Sequence, residues 1–169
     1  MQFTGKVEVN PRFRTISRLM DLDRKDLGEI LKAVDFQFRE NERRLFATEG
    51  TSGGSKWQRL SSKYAAIKAR RFPGRKILAA RGTLRKDLTT KGGRHLAFVS
   101  MKPPSVTVGA DNEIGRHHKR GLAPLPRRNP IQMNTRQRKG MHAIVKRWLT
   151  DVKLGRVKRA LRWRGSRVR

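Results

Sequence analysis

The residues best suited by type to chemistry are four histidines and the few carboxylates near them. His117 and His118 are adjacent, and His95, His142 and Glu113 are the further candidate donors, a set that invites a zinc reading. Two imidazoles address one ion from a helix when they stand three or four residues apart, and this pair does not, so metal binding is set aside. General acid–base catalysis needs a base oriented by a second group. After residue 50 the chain has only Asp87, Asp111, Glu113 and Asp151, none in a paired pattern. Lys91-Gly92-Gly93-Arg94 has the composition of a phosphate loop, but no Gly-Lys-Ser/Thr opens a helix there and the segment precedes a strand. The absence of Cys removes disulfides, thiolate chemistry and Cys-based zinc sites. The chain therefore reads as a non-enzyme without cofactor or metal.

The chemistry that remains is electrostatic. The 169 residues carry 42 Lys and Arg against 13 Asp and Glu, a formal charge of +29. Self-repulsion on that scale opposes a compact chain unless an acidic partner or polyanion neutralises it. The charge is also segregated. Residues 1–50 hold nine acids and ten bases, so four acids and 32 bases follow, and an excess of +28 lies after Gly50. It is densest in the tail, where Arg156, Lys158, Arg159, Arg162, Trp163, Arg164, Arg167 and Arg169 are candidate contacts to DNA or to an acidic protein. Each base that meets a phosphate releases counterions, a gain insensitive to sequence, and Trp163 offers a face for base stacking or a partner helix. The first residues contain no signal-like apolar run and no ~18-residue apolar stretch occurs, so a soluble protein, neither secreted nor membrane-spanning, is expected.

The elements that must position these groups follow from periodicity. Phe3, Val7 and Val9 alternate before Pro11 and suggest an edge strand. Asp21 or Asp23 is placed to cap a helix running to about Phe46, with Leu27, Ile30, Leu31, Val34, Phe38 and Leu45 on one stripe, Phe36 off it, and Arg24, Lys32, Glu40 and Glu42 on the outer side. Residues 47–56, with three glycines, read as a flexible or tightly turned loop that orders on assembly. Trp57, Leu60, Tyr64 and Ile67 repeat at helical spacing, so a second amphipathic helix is expected over 56–70, capped by Ser55, with the aromatics in the core and Lys56, Arg59, Lys63 and Lys68 outside. A short helical turn should follow from Gly82 to Leu88. Leu96–Met101 and Val106–Val108 read as an antiparallel strand pair, most economically in a meander. Asn112–Gly121 reads as a polar loop anchored by Ile114, within a Pro- and Arg-rich loop over 110–133. A third helix, capped by Asn134 or Thr135, should run to about Leu154 with Met141, Ile144, Val145, Trp148, Leu149 and Val152 as its stripe.

The order of these landmarks resembles the phage virion morphogenesis family, the tail-completion proteins of Mu-like and P2-like tailed phages. The resemblance runs through Trp57, Leu60, Tyr64 and Lys68, then Ile77 and Leu78 before Gly82 and Leu84. It continues with Val106, Val108 and Gly109, and with His118-Lys119-Arg120-Gly121, where Lys119 replaces the family's Gln. Pro126-Arg127-Arg128-Asn129-Pro130 follows, leading into the last helix. The match spans roughly residues 22–154 and leaves the tail outside. It implies an α+β fold of tail-terminator type, a small antiparallel sheet packed with about three helices. It also implies a structural protein of the neck that completes the tail, joins it to the head and forms a ring around the DNA channel, six-fold by the usual symmetry of such tails, with neighbouring neck and tail-tube proteins as partners. The family motif positions carried over are Trp57, Leu60, Tyr64, Gly82, Leu84, Gly109, His118 and Gly121.

The expected organisation is one α+β assembly domain over 1–154 and a basic tail over 155–169. The expected location is the tail or neck of a virion, after synthesis in the host cytoplasm. The competing reading from charge alone is a basic nucleic-acid-binding protein of ribosomal or nucleoid type, and an enzyme acting on DNA is a third.

Overall fold

The long helix expected before Phe46 is the element on which the others pack. In the computed structural model, which describes residues 3–7, 24–101, 104–121 and 126–153, it is α1, Arg24–Ala47. Its suggested caps Asp21 and Asp23 lie outside the described residues, as does the whole basic tail. Ile30, Val34, Phe38 and Leu45 are buried as the stripe requires, and Phe36, off the stripe, is exposed with the Arg39 guanidinium 5.9 Å from its ring centre. Glu42 is a correction. It was placed on the outer side, yet it is 0% exposed, with both carboxylate oxygens unpartnered. The spacing explains this: residue 42 stands four after Phe38 and three before Leu45, inside the stripe rather than opposite it.

The remaining elements are β1 (Phe3–Val7), a 3-10 turn (Thr51–Gly53), α2 (Ser62–Arg71) and α3 (Thr83–Thr89). They are followed by β2 (His95–Met101), β3 (Pro104–Ala110), α4 (Glu113–Arg120) and α5 (Thr135–Lys153). The fold is α+β, with five α-helices among the described residues where about three were expected. β2 and β3 pair antiparallel as foreseen, with Val99 opposite Val106 and Leu96 opposite Gly109. β1 then lies on the far side of β3, with Val7 opposite Val106, so the order β1-β3-β2 replaces a simple meander. Val106, Val108 and Ala110 of the central strand turn into the core, the period-2 pattern of a strand covered on one side by a helix. α1 packs on both β2 and β3, and also on α3 and α5. α5 contributes Met141 and Val145 to the core, with Ile144, Trp148 and Leu149 partly buried beside them. Asn134 caps α5 through a reciprocal pair with Gln137, each side-chain oxygen accepting the other residue's backbone N–H.

Because α1 is covered on more than one side, polar groups are buried along it. Asp35 lies between two partners: its Oδ1 is 2.6 Å from Nε2 of His95, and its Oδ2 accepts from Arg39 Nε at 3.1 Å. The Nδ1 of His95 meets the Asp87 carbonyl at 3.1 Å, and Asp87 Oδ2 accepts from Asn112 Nδ2 at 2.7 Å. One network thus ties α1, α3 and β2 to the residue that caps α4. Burial would raise the Asp35 carboxyl, but His95 and then Arg39 outweigh it and hold its pKa below the usual value. His95, considered above as a metal donor, is occupied here.

The structure decides the form of two expected loops. Residues 47–56 take the tightly turned of the two forms their glycines allow. Gly50 adopts φ +99° and donates to Leu45 O at 2.9 Å, Gly53 donates to Gly50 O, and Trp57 N donates to Glu49 O at 2.8 Å. A Cβ on Gly53 would come within 2.6 Å of Gln132 O and Leu45, so the glycine permits close packing rather than mobility. Asn112–Gly121 is α4 and not a loop: Asn112 Oδ1 accepts from Gly115 N, and Gly121 closes the helix at φ +69° with its N–H on His117 O. Leu96 and Phe98, expected on one strand face, are half-buried and 42% exposed respectively.

Two stability measurements follow. Trp57 is 3% exposed and meets Phe46 edge to face at 5.2 Å. Trp57→Ala is therefore expected to cost about 3–5 kcal/mol in denaturant unfolding, whereas Tyr64→Ala, at an exposed site, should cost under about 1 kcal/mol. Equal losses at the two positions would overturn the assignment. Burial alone pushes Glu42 well above its ordinary 4.5, so the unfolded chain ionises first and this residue's effect is loss of stability as pH rises beyond 4.5 towards the folded value. Glu42→Gln should gain on the wild type by at most ~1.4 kcal/mol per pH unit over that range. Parallel pH profiles for the two proteins would refute it.

Candidate functional site

The segment from Trp57 to Arg71 does not form one helix. Trp57 is buried in an extended stretch, and α2 starts only at Ser62, with Ser61, not Ser55, accepting from Tyr64 N at 3.4 Å. The cause is a second segment laid alongside. Arg128 is 3% exposed and donates through Nε to Gln58 O at 2.7 Å and through Nη2 to Arg59 O at 3.0 Å. The Trp57 indole N–H donates to Asn129 O at 2.9 Å, Gln132 Nε2 donates to Gly50 O at 2.7 Å and to Ser55 O, and Asn134 Nδ2 reaches Ser52 O at 2.8 Å. Carbonyls that would begin a helix at 56 are taken by these donors. The helical stripe read from the sequence is thereby divided: Trp57 goes to the core, while Tyr64 and Ile67, expected there too, are 46% and 39% exposed.

Lys68 is the other correction. Expected outside, it is 6% exposed and is the one residue of α2 that is not exposed. Its ammonium donates to Lys76 O at 2.8 Å and to Arg75 O, anchoring α2 to the turn that follows. Burial lowers its pKa, opposed by the charge of Glu49. Glu49 in turn accepts from Ile77 N at 2.8 Å, which fixes the descent of the chain towards Leu78. Leu78 sits at φ +60°, an uncommon conformation for a branched side chain, and turns into the cleft described next.

Between α2, the 78–84 segment, α4 and Arg128 lies a cleft of about 920 Å³. Its apolar lining comes from Leu60, Tyr64, Ile67, Phe72, Leu78 and Leu84, with Ile114 from α4 and Pro126. Its cations are Arg59, Lys68, Arg71, Arg81 and Arg128, and no carboxylate stands among the described lining residues. His118 also faces it. Burial, then the charges of Arg128 and His117, lower the His118 pKa to about 4, so the ring is neutral at pH 7. Burial likewise lowers the Arg128 pKa, with Tyr64 acting against it.

The cleft gathers several positions marked in the sequence: Leu60, Tyr64, Gly82, Leu84 and His118. Gly82 supplies the left-handed N-cap of α3 at φ +77°. Gly121 stands beside Arg127, whose Cβ would be 2.9 Å from any Cβ added there. Trp57 and Gly109 lie elsewhere, in the core and in the central strand. His117 is 3.7 Å from Glu113 one turn back on α4, and the described residues contain no group of three or more metal-donor side chains suited to an ion. Arg128 and Ile114 were not singled out as contacts. Arg128 lacks any periodic signal, since it works through main-chain carbonyls about 70 residues away in sequence. Among the described residues no helix is long and apolar enough to cross a membrane. Nothing in this arrangement pairs a nucleophile with a base.

A model of the phage virion morphogenesis family matches residues 7–153, most of the chain. No curated protein and no solved structure matches it.

The neutral His118 sets a pH dependence opposite in sign to that of Glu42. Its folded pKa, about 4, lies below the ordinary 6.5, so its contribution is complete above 6.5 and is lost as pH falls towards 4. His118→Asn should flatten this acid loss between pH 6.5 and 4 in thermal unfolding. An unchanged acid slope would show that His118 does not carry it.

Proposed function

The chain belongs to the phage virion morphogenesis family, and from that premise we propose that it completes the tail and joins it to the head in the neck. In this reading it is a structural subunit, one of a homo-oligomeric ring around the DNA channel, with six-fold order the best fit to a tail. It acts with neighbouring neck and tail-tube proteins and performs no catalysis.

The observation that carries the reading is the family match over residues 7–153, which spans every described element except most of β1. Two physical features support it. The excess charge after Gly50 calls for neutralising neighbours, and the uncovered apolar side of α2 calls for burial by one. A DNA-binding role for the tail, through Arg156, Lys158, Arg159, Arg162, Trp163, Arg164, Arg167 and Arg169, fits the same location, because the neck surrounds the DNA in transit.

A phage carrying a nonsense mutation early in this gene should accumulate DNA-filled heads and separate tails, visible by negative-stain electron microscopy of the lysate. Antibody against the protein should label complete particles near the head–tail junction. Normal particles from the mutant, or virions lacking the protein, would reject the reading. Truncation after Leu154 should leave the thermal transition intact while weakening a partner contact.

A further inference from the structure

α2 is an amphipathic helix whose apolar side nothing among the described residues covers. Tyr64 and Ile67 are exposed, Leu60 and Phe72 are half-buried, and all four open onto the cleft, as does the exposed Ile114. A ten-residue helix is marginal in water by itself, and of this one only Lys68 is withdrawn from solvent. Among the described residues the apolar row therefore lacks the burial that normally holds such a helix.

Two features define what would cover it. Leu60, Tyr64 and Ile67, spaced by four and three, form a row of anchors that matches the apolar side of another helix or extended segment. Around them stand Arg59, Arg71 and Arg81, with no described carboxylate in the lining. A second copy of the chain fits poorly. Six of its thirteen acids are engaged or enclosed, Glu29 with Lys32, Glu40 with Arg43, Glu49 with Ile77 N, Asp35 and Asp87 in the buried network and Glu42 in the core, and the other seven stand against 42 Lys and Arg. Duplex DNA would satisfy the arginines but leave the apolar row wet.

We propose that this cleft is the docking site for an acidic amphipathic segment of a different protein. Its apolar side covers Leu60, Tyr64 and Ile67, and its carboxylates lie among Arg59, Arg71 and Arg81. The virion reading adds only that this partner is a neighbouring structural protein.

The test uses full-length protein and a fluorescent synthetic helix of about 18 residues, roughly 27 Å long, with Leu at helical spacing on one side and Glu on the other. Anisotropy titration should saturate. Ile67→Glu and Arg71→Glu should each raise Kd at least ~10-fold, while Phe36→Glu, on an exposed site of α1, should leave it unchanged. A scrambled peptide of identical composition should bind at least ~10-fold more weakly. If Ile67→Glu disturbs the circular dichroism spectrum, Ile67→Ser serves instead. Equal binding of the scrambled peptide would mean that charge alone acts and would overturn the proposal, as would a Kd indifferent to Ile67. It would also fall if Ile67→Glu changed the sedimentation of the chain alone, since the surface would then be a self-contact. Displacement of the peptide by duplex oligonucleotide at equimolar phosphate would make it a polyanion site instead. Binding insensitive to Ile67 together with a gene essential for head–tail joining sinks the cleft and spares the virion reading. Specific binding together with a dispensable gene does the reverse.

Discussion

The structure depends on one clasp, the seam where residues 128–134 lie along residues 50–59. Its strongest member is the Arg128 guanidinium on the Gln58 and Arg59 carbonyls. A hydrogen bond to a charged donor contributes about 1.5–3 kcal/mol, against about 0.5–1.5 for a neutral pair such as the Trp57 indole and Asn129 O. The seam joins parts of the chain some 70 residues apart and determines the conformation of both. It keeps 56–61 out of helix, which delivers Trp57 to Phe46 in the core, and it delays α2 to Ser62, which turns Tyr64 and Ile67 outward. The geometry also needs Gly53, whose missing Cβ leaves room for the Gln132 backbone. The exposed apolar row is thus a direct result of the clasp.

Within α1, two buried carboxylates show how neighbours decide the state of a group. Asp35 has His95 and Arg39 within hydrogen-bond reach, so its charge is stabilised despite burial and its pKa falls. Glu42, seven residues on at the centre of the core, has no such partner, and burial raises its pKa. Breaking the first group would strand a buried charge, which costs about 3–5 kcal/mol. Neutralising the second removes nothing the fold uses. The Asp35 network extends through Asp87 to Asn112, so the same charges that tie β2 to α1 also support the cap of α4 and, through α4, one wall of the cleft.

Much of this was legible in the sequence where apolar periodicity was strong. α1, α3, α5 and the β2–β3 pair lie close to where spacing placed them, and the ordered motifs suggested the family that the chain belongs to. The failures have separate physical causes. α4 is mostly His, Lys and Arg, so it lacks a stripe, and its signal was a local one, the Asn112 cap. Residues 47–56 carry glycines that can serve either mobility or close packing, and only the partner Gln132 tells which. Trp57 and Tyr64 look equivalent on a helical wheel, but a long-range clasp separates them. Lys68 looked like surface because lysine usually is, yet its ammonium found two main-chain carbonyls. Only at 47–56 and at Trp57 did a contact distant in sequence decide the outcome; at α4 and Lys68 the deciding contacts are local and carry no apolar period.

The charge and the apolar row make sense together rather than separately. An exposed patch of Tyr64, Ile67 and Ile114 would ordinarily invite self-association. Here it is framed by Arg59, Arg71 and Arg81 on a chain of net charge +29, so two copies that approach through this face repel before apolar contact is made. A partner carrying carboxylates beside its apolar side would meet attraction instead, and the same arginines would speed its encounter. Under the proposed role, that asymmetry orders assembly. In that role free subunits would stay apart and would close into a ring once neighbouring proteins or DNA had removed the repulsion.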